Sequence, residues 1–374
     1  MMRLDVDLEL PSSLAGVLAA GADDGDQIRR LPDASVCALE DAGFFRLCLP
    51  VEFGGPGFSA AHVLARLTAV SKVDGAAGWC SMISSTTSAL AGFVEARVAR
   101  QTFGVGRAYG GVFAPNGRFV RKGDRAILNG RWQWGSGLHH CDVVVAGAVG
   151  ADGERRTFII DADHVELIDT WHTVGMRGSG SVDFAVSELE IDLSRSVEQM
   201  RPSAISDDPI CRFPNFALLA SAVASVGAGI AERALSDVIV LASDRRPQFS
   251  SRLLAEHATV QSTIARLRVS LDAASTLLYQ RVGDCWEKIL RSERPSLDDR
   301  VGIRSAAVHL VSTAGATVDE AFSIAGGSAV YETSTLGRCL RDVHVVAQHI
   351  MVSNRLHESL GRHVFGLKLD DGMI

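Results

Sequence analysis

A mainly α-helical fold with a β-rich middle domain follows from three observations on the chain. Apolar residues recur at helical spacing from about residue 10 to residue 104. From about residue 109 to residue 194 the period drops to two and turn signals cluster. From about Pro214 onward long helical patterns return. The 374 residues thus divide into an N-terminal helical domain (1–108), a β middle domain of barrel or sandwich form (109–195), a linker (196–212) and a C-terminal four-helix bundle (213–374). A chain this long exceeds one ordinary core and can enclose a sizeable ligand.

In the first domain Ala60, Val63, Leu64, Leu67 and Val70 mark one helix, with Ser59 placed as its N-cap. In the second, turns are expected at Pro115-Asn116-Gly117, Lys122-Gly123-Asp124, Asn129-Gly130 and Asp152-Gly153. Strands are expected over 131–135, 142–148, 157–160 and 181–191. The linker is expected to be irregular because Asp207, Asp208 and Pro209 interrupt any periodicity. Leu219, Val223, Val226, Ile230, Leu235 and Val238 form the stripe of the first bundle helix, and further helices are expected over 251–290, 297–325 and 336–365.

Composition excludes several classes. With 47% hydrophobic and 22% charged residues the chain reads as soluble and globular, and a net charge of −7 without basic runs argues against a nucleic-acid partner. Seven cysteines without a CxxC spacing fit reduced thiols in a cytoplasmic protein. The acids near the N-terminus speak against an export signal. The uncharged stretch 213–231 carries Pro214, Asn215, serines and glycines, so it reads as a buried helix and no membrane partner is expected.

Four constellations bear on chemistry. Trp134-Gly135-Ser136-Gly137 sets a broad ring and a small hydroxyl at a strand exit, with glycines that let a ligand edge come close. His139, His140, Cys141 and Asp142 follow at once, but neighbours on a strand point to opposite faces, so no metal is expected there. Gly178-Ser179-Gly180-Ser181 exposes N–H groups and hydroxyls suited to a polar ligand rim or to a mobile loop. Arg245 and Arg246, with Phe249 just beyond, stand at a helix end, where arginines also cap carbonyls. Finally Gly326-Gly327 permits close backbone approach ahead of a helix bearing Arg341, Asp342, His344 and His349. On one helix the two histidines would differ in direction by about 140°.

At these residues the chain resembles the acyl-CoA dehydrogenase superfamily. Counting from Arg341 puts Ile350 where that family's catalytic glutamate stands, and the other place used for it, 216–219, is apolar here. The Arg-Asp-Val-His form and the histidine at 349 resemble the two-component, flavin-dependent monooxygenase branch of the superfamily. The resemblance implies an acyl-CoA dehydrogenase-like fold and a reduced flavin, FAD or FMN, as cofactor. It implies that Trp134, Ser136, Ser179 or Ser181, Arg246, Phe249, Gly326 and Gly327 line the flavin site, with a serine at 250 where the family has glycine. His349 and Ser136 are then the catalytic candidates, the histidine as a base of near-neutral pKa and the serine at the reactive flavin edge.

The implied reaction uses reduced flavin and O2, through a C4a-hydroperoxide, to hydroxylate an aromatic or polyketide-like small molecule or to N-oxidise an amine. A separate NAD(P)H:flavin reductase is implied as partner, because no strand-GxGxxG-helix unit is present. A homotetramer is the implied assembly. Two other readings compete: a flavin dehydrogenase or oxidase with a relocated base such as Glu332, and a non-catalytic paralogous subunit.

Overall fold

The computed structural model describes residues 10–104, 107–199 and 203–369. The N-terminal part holds α1 (Ser12–Ile28), α2 (Asp33–Asp41), α3 (Ala60–Val73), α4 (Gly75–Ser88) and α5 (Ala96–Thr102). Ser59 caps α3 as expected, its side chain accepting the N–H of His62. Asp74 does the same for α4, accepting the N–H of Ala76.

The middle of the chain forms β1 (Tyr109–Lys122), β2 (Arg125–Gly135), β3 (Val143–Gly150), β4 (Arg155–Asp161), β5 (Glu166–Ile168), β6 (Val182–Asp192) and β7 (Ser196–Glu198). Among the described residues they make one sheet in the order β5-β6-β2-β1-β3-β4-β7. Only β1 and β3 pair in parallel; the other neighbours are antiparallel. Gly123-Asp124 is the two-residue turn of the β1–β2 hairpin, with Lys122 opposite Arg125 and Gly123 at φ +66°. Asp152-Gly153 turns between β3 and β4.

Two expected turns are instead strand interior. Pro115-Asn116-Gly117 lies within β1, where the β1–β3 register shifts between Val112 and Gly117, and Asn129-Gly130 lies within β2, beside a shift between Leu128 and Gly130. The glycines make room for an indole. A Cβ on Gly117 would stand 2.3 Å from Cζ2 of Trp132, and one on Gly130 would stand 2.6 Å from its Cη2. Trp132 fills that space, stacks on Phe184 with ring centroids 5.0 Å apart, and donates its Nε1–H to the Gly147 carbonyl at 2.7 Å.

The remaining helices are α6 (Pro209–Arg212), α7 (Asn215–Asp244), α8 (Ala258–Leu290), α9 (Leu297–Ala325), α10 (Thr335–Val346) and α11 (Leu356–Val364). β7 and α6 fall inside 196–212, and Asp208-Pro209 starts a helix there: Asp208 caps α6 with Pro209 at its first position, burying Ile210 and Cys211. α8 begins at Ala258 and not near 251, because a single 3-10 turn, Leu254–Glu256, precedes it and Glu256 takes the N–H of Leu253. α9 starts at Leu297 as expected, on a reciprocal Ser296/Asp299 capping box.

α7 runs through the core against α3, α9 and α10. By length and composition it could cross a membrane, yet 78% of its most apolar window is buried inside the protein. That burial is what an apolar core helix gains from packing.

The last bundle helix is broken. α10 stops at Val346 and the chain turns through 347–355 before α11. The cause lies in competing hydrogen bonds. His349 Nδ1 takes the N–H of Met351, and the buried Arg304 on α9 donates to the Met351 carbonyl at 3.0 Å and touches its sulfur at 3.5 Å. His349 therefore sits on a turn, and the 140° helical relation to His344 does not apply.

Candidate functional site

Trp134, two residues beyond the buried Trp132, should face inward by strand alternation. A second register shift, between Trp132 and Gly135, turns it out: Trp134 adopts φ +69° and its ring is 69% exposed. The next residue but one, Ser136, turns back into the protein and is 5% exposed.

Ser136 does not stand alone. Its Oγ accepts the Nε1–H of Trp79 on α4 at 2.9 Å and lies 2.8 Å from Ser181 Oγ, which lies 2.7 Å from Ser179 Oγ. Ser179 in turn donates to the Met176 carbonyl at 2.7 Å. A carbonyl only accepts, so the single proton of Ser179 is spent there. Ser181 must then donate to Ser179, and Ser136 to Ser181. The row runs one way, from Trp79 through three serines to Met176. Its hydroxyls have no proton left to give, and each keeps one lone pair.

The loop carrying Ser179 and Ser181 is held from the bundle. Asp342 on α10 accepts the N–H of Met176, itself at φ +52°, and Trp171 donates its Nε1–H to the Met176 carbonyl at 3.0 Å. Asp342 and Asp74 are both buried beside Arg338, around a cavity of about 10 Å³, room for one water. Burial pushes Asp342 up to about 7, against the pull of its Met176 hydrogen bond, and pushes Asp74 up to about 6.

His349 meets the same tryptophan from the other side, its ring edge-on to Trp79 with centroids 5.5 Å apart. Burial, with the charge of Arg304 nearby, pushes the imidazole down to about 4. A base titrating near neutrality was expected; the enclosure makes it a neutral ring instead. Because the Met351 N–H ends on Nδ1 at 3.3 Å, the ring proton is on Nε2, so His349 offers a hydrogen-bond donor. His344 is not in this group: it pairs with Asp319 at 2.8 Å on the surface.

A second group comprises Arg246 and Phe249 on the α7–α8 loop, with the Arg246 guanidinium on the Ser251 carbonyl, and Gly326 and Gly327 at the end of α9. Arg245 donates to the carbonyl of Ala325, which joins the α7–α8 loop to the glycine pair at the end of α9. Cβ atoms on Gly326 and Gly327 would meet nothing within 4 Å, and Phe249 is 100% exposed at φ +64°.

The expected metal-free stretch 139–142 is a 3-10 turn, Leu138–His140, followed by the start of β3. Its side chains are committed separately: His140 stacks on Phe45, Cys141 donates to the Gly137 carbonyl and Asp142 takes the N–H of Ala108. Among the described residues no group of three His, Cys, Asp or Glu could hold a metal ion. A cavity of about 200 Å³ opens beside this turn, lined by Arg30, Asp33, Cys37 and the two histidines, and its lining does not include the three serines. Glu332 lies on an exposed turn before α10.

Sequence reasoning assigned no role to Trp79, Met176 or Arg304. Trp79 is the junction of Ser136 and His349; the other two act through backbone contacts that no spacing announces.

Residues 221–354 match the family model "Acyl-CoA dehydrogenase, C-terminal domain". Indole-3-acetate monooxygenase of Pseudomonas putida is 27% identical over 91% of this chain and 89% of its own length. The flavin-dependent monooxygenase oxygenase subunit HsaA of Mycobacterium tuberculosis is 26% identical over 93% of this chain and 92% of its own. The structure of XiaF from a Streptomyces species, in complex with FADH2 and glycerol, superposes with a TM-score of 0.88 at 25% identity, covering 96% of this chain and 94% of that one. The chain therefore has the acyl-CoA dehydrogenase fold and is homologous to the oxygenase subunits of two-component flavin-dependent monooxygenases.

Proposed function

We propose that this chain transfers one oxygen atom from O2 to an aromatic or polyketide-like small molecule, the other oxygen leaving as water. It is an oxidoreductase, a flavin-dependent monooxygenase that works with reduced flavin. When bound, reduced flavin supplies the electrons that activate O2. The residues fit that group. A row of buried hydroxyl lone pairs, an outward-facing indole at Trp134 and an unobstructed glycine pair suit a flat heteroaromatic ring with an N–H at its edge.

Ser136 receives that edge, Trp134 covers a ring face, and Gly326 and Gly327 let the backbone approach. Arg246 and Phe249 reach the diphosphate and adenosine half of an FAD held by a neighbouring subunit of a homotetramer. FAD is favoured over FMN because the second group of residues would otherwise have no ligand. His349 positions the substrate: its neutral Nε2–H donates to a phenolic or amine group and holds it while oxygen is delivered. The enclosure by Trp79 and the bundle keeps water from the reacting atoms. The protein acts in the cytoplasm beside a separate flavin reductase.

The observation that carries this reading over a dehydrogenase is the environment of residue 349. Where the related dehydrogenases need a carboxylate, Ile350 is exposed, the start of α7 at Ala217 and Leu218 is buried and apolar, and a neutral imidazole packs on Trp79. The buried carboxylates Asp74 and Asp342 are committed to backbone N–H groups. The intact serine row argues against a non-catalytic subunit.

The test is a single turnover. Protein loaded anaerobically with reduced FAD is mixed with 18O2 and a panel of phenols and indoles, and products are read by mass spectrometry. One labelled oxygen in an organic product supports the proposal. Reoxidation of the flavin with all oxygen appearing as peroxide, whatever the substrate offered, would sink it.

A further inference from the structure

The serine row has a direction, and the direction is set at one end. Trp79 can give its N–H to Ser136 whichever way the hydroxyls point, since Ser136 has two lone pairs. Only Ser179 chooses: while it donates to the Met176 carbonyl, Ser181 must donate to Ser179 and Ser136 to Ser181. Reversing the row would break that one bond and leave the Met176 carbonyl with the N–H groups of Trp171 and Ser179. In the observed direction Ser136 can accept and cannot donate.

We propose that Ser179, anchored on the Met176 carbonyl, is a positioning residue that fixes Ser136 as an acceptor and so selects reduced over oxidised flavin. This rests on the proposed function, in which Ser136 faces the reactive edge of the ring. That edge carries an N–H in the reduced flavin and a bare nitrogen lone pair in the oxidised one. The reduced form completes a hydrogen bond with Ser136 as it stands. The oxidised form sets lone pair against lone pair unless the row reverses and gives up the Ser179–Met176 bond. The N3–H keeps its proton in both states and cannot discriminate. The selection is useful to a protein that receives reduced flavin from elsewhere, because spent oxidised flavin is the competitor it must release.

The experiment compares dissociation constants for reduced and oxidised FAD, by anaerobic equilibrium dialysis, on the full-length assembled protein. Losing the cost of one hydrogen bond corresponds to a preference on the order of 3- to 10-fold. Ser179→Ala frees Ser181 to donate to Ser136 and Ser136 to donate onward, so the ratio of the two constants falls by that factor. A tenfold fall lowers the two-electron midpoint potential of the bound flavin by about 30 mV. Ser181→Ala breaks the same row one step nearer the ligand and gives the same fall, which covers the case in which Ser179→Ala does not fold. Trp79→Phe keeps the direction and so keeps the ratio, whatever it does to both constants. A wild-type ratio retained in the foldable serine variants overturns the proposal while leaving the proposed function standing. A wild-type protein that binds neither flavin form overturns the proposed function itself.

Discussion

The carboxylate of Asp342, on α10, accepts the backbone N–H of Met176, and the carbonyl of the same Met176 accepts the hydroxyl of Ser179. One backbone residue thus joins a buried acid of the helical bundle to the hydroxyl row beside Ser136. Removing the acid leaves a buried N–H without a partner, which costs about 1–3 kcal/mol. Asp342→Ala is expected to lose that much stability in urea unfolding and to weaken flavin binding together with it.

Asp342→Asn keeps an acceptor but removes the titration. A carboxyl raised to about 7 in the fold, from 3.8, binds its proton more tightly folded than unfolded. Its contribution is therefore present at low pH and is lost as pH rises from about 4 through 7. The asparagine variant should show a flatter dependence of melting temperature on pH over that window. An unchanged slope would mean that Asp342 is ionised throughout.

His349, pushed down to about 4, is neutral at any working pH, so oxygen transfer should show no limb near pH 6.5 that belongs to it. His349→Asn retains a donor and should keep much of the product yield, whereas His349→Ala should divert turnover toward peroxide. Rate–pH profiles of the three proteins decide this. A limb near neutrality, present in the wild type and absent from His349→Asn, would restore the role of base. For stability the sign is opposite to that of Asp342: a histidine lowered in the fold destabilises as pH falls from 6.5 toward 4.

Helix, sheet and helix were legible in the sequence because burial imposes its period wherever a face is hidden, as in the capped helix behind Ser59 and the stripe on α7. Local exceptions were not. Alternation puts Trp132 and Trp134 on one face, and only a bulge, fixed by pairing with β6, separates them. Asn129-Gly130 has the composition of a turn but serves the indole of Trp132, two residues on in the same strand. The break at 347–355 depends on Arg304, which lies on another helix. Ser136, Ser179 and Ser181 could be named from the sequence, whereas their order in a one-way row, and Trp79 at its head, exist only once α4 packs against the strand end.

The space left for Trp132 is measurable. In Gly117→Ala the new methyl would stand 2.3 Å from the indole, and in Gly130→Ala 2.6 Å from it and 2.8 Å from the Gly117 Cα. Overpacking of this kind costs about 1–3 kcal/mol. Each variant should lose that amount in urea unfolding, with Gly117→Ala the worse, because its contact is the closer. Gly123→Ala, at φ +66° with open space around it, should be penalised by backbone strain alone. Equal stability of Gly117→Ala and wild type would show that the indole sits elsewhere in solution.

The group formed by Arg246, Phe249, Gly326 and Gly327 makes a prediction that separates the two flavins. FMN ends at its phosphate, so a contact to the far half of FAD is felt by FAD alone. Losing a charge-assisted hydrogen bond costs about 1.5–3 kcal/mol, so Arg246→Ala should weaken reduced FAD on the order of 10- to 100-fold and leave reduced FMN nearly unchanged. Phe249 is fully exposed on the same loop, and the proposed assembly would cover it with a second copy of the chain. Phe249→Asp should lower the assembly's mass in light scattering, and with it the affinity for FAD, because the arginine then reaches no neighbour. Equal losses for FMN and FAD in Arg246→Ala would remove this loop from the flavin site. A mass unchanged by Phe249→Asp would instead mean that the exposed ring belongs to the single chain's own surface.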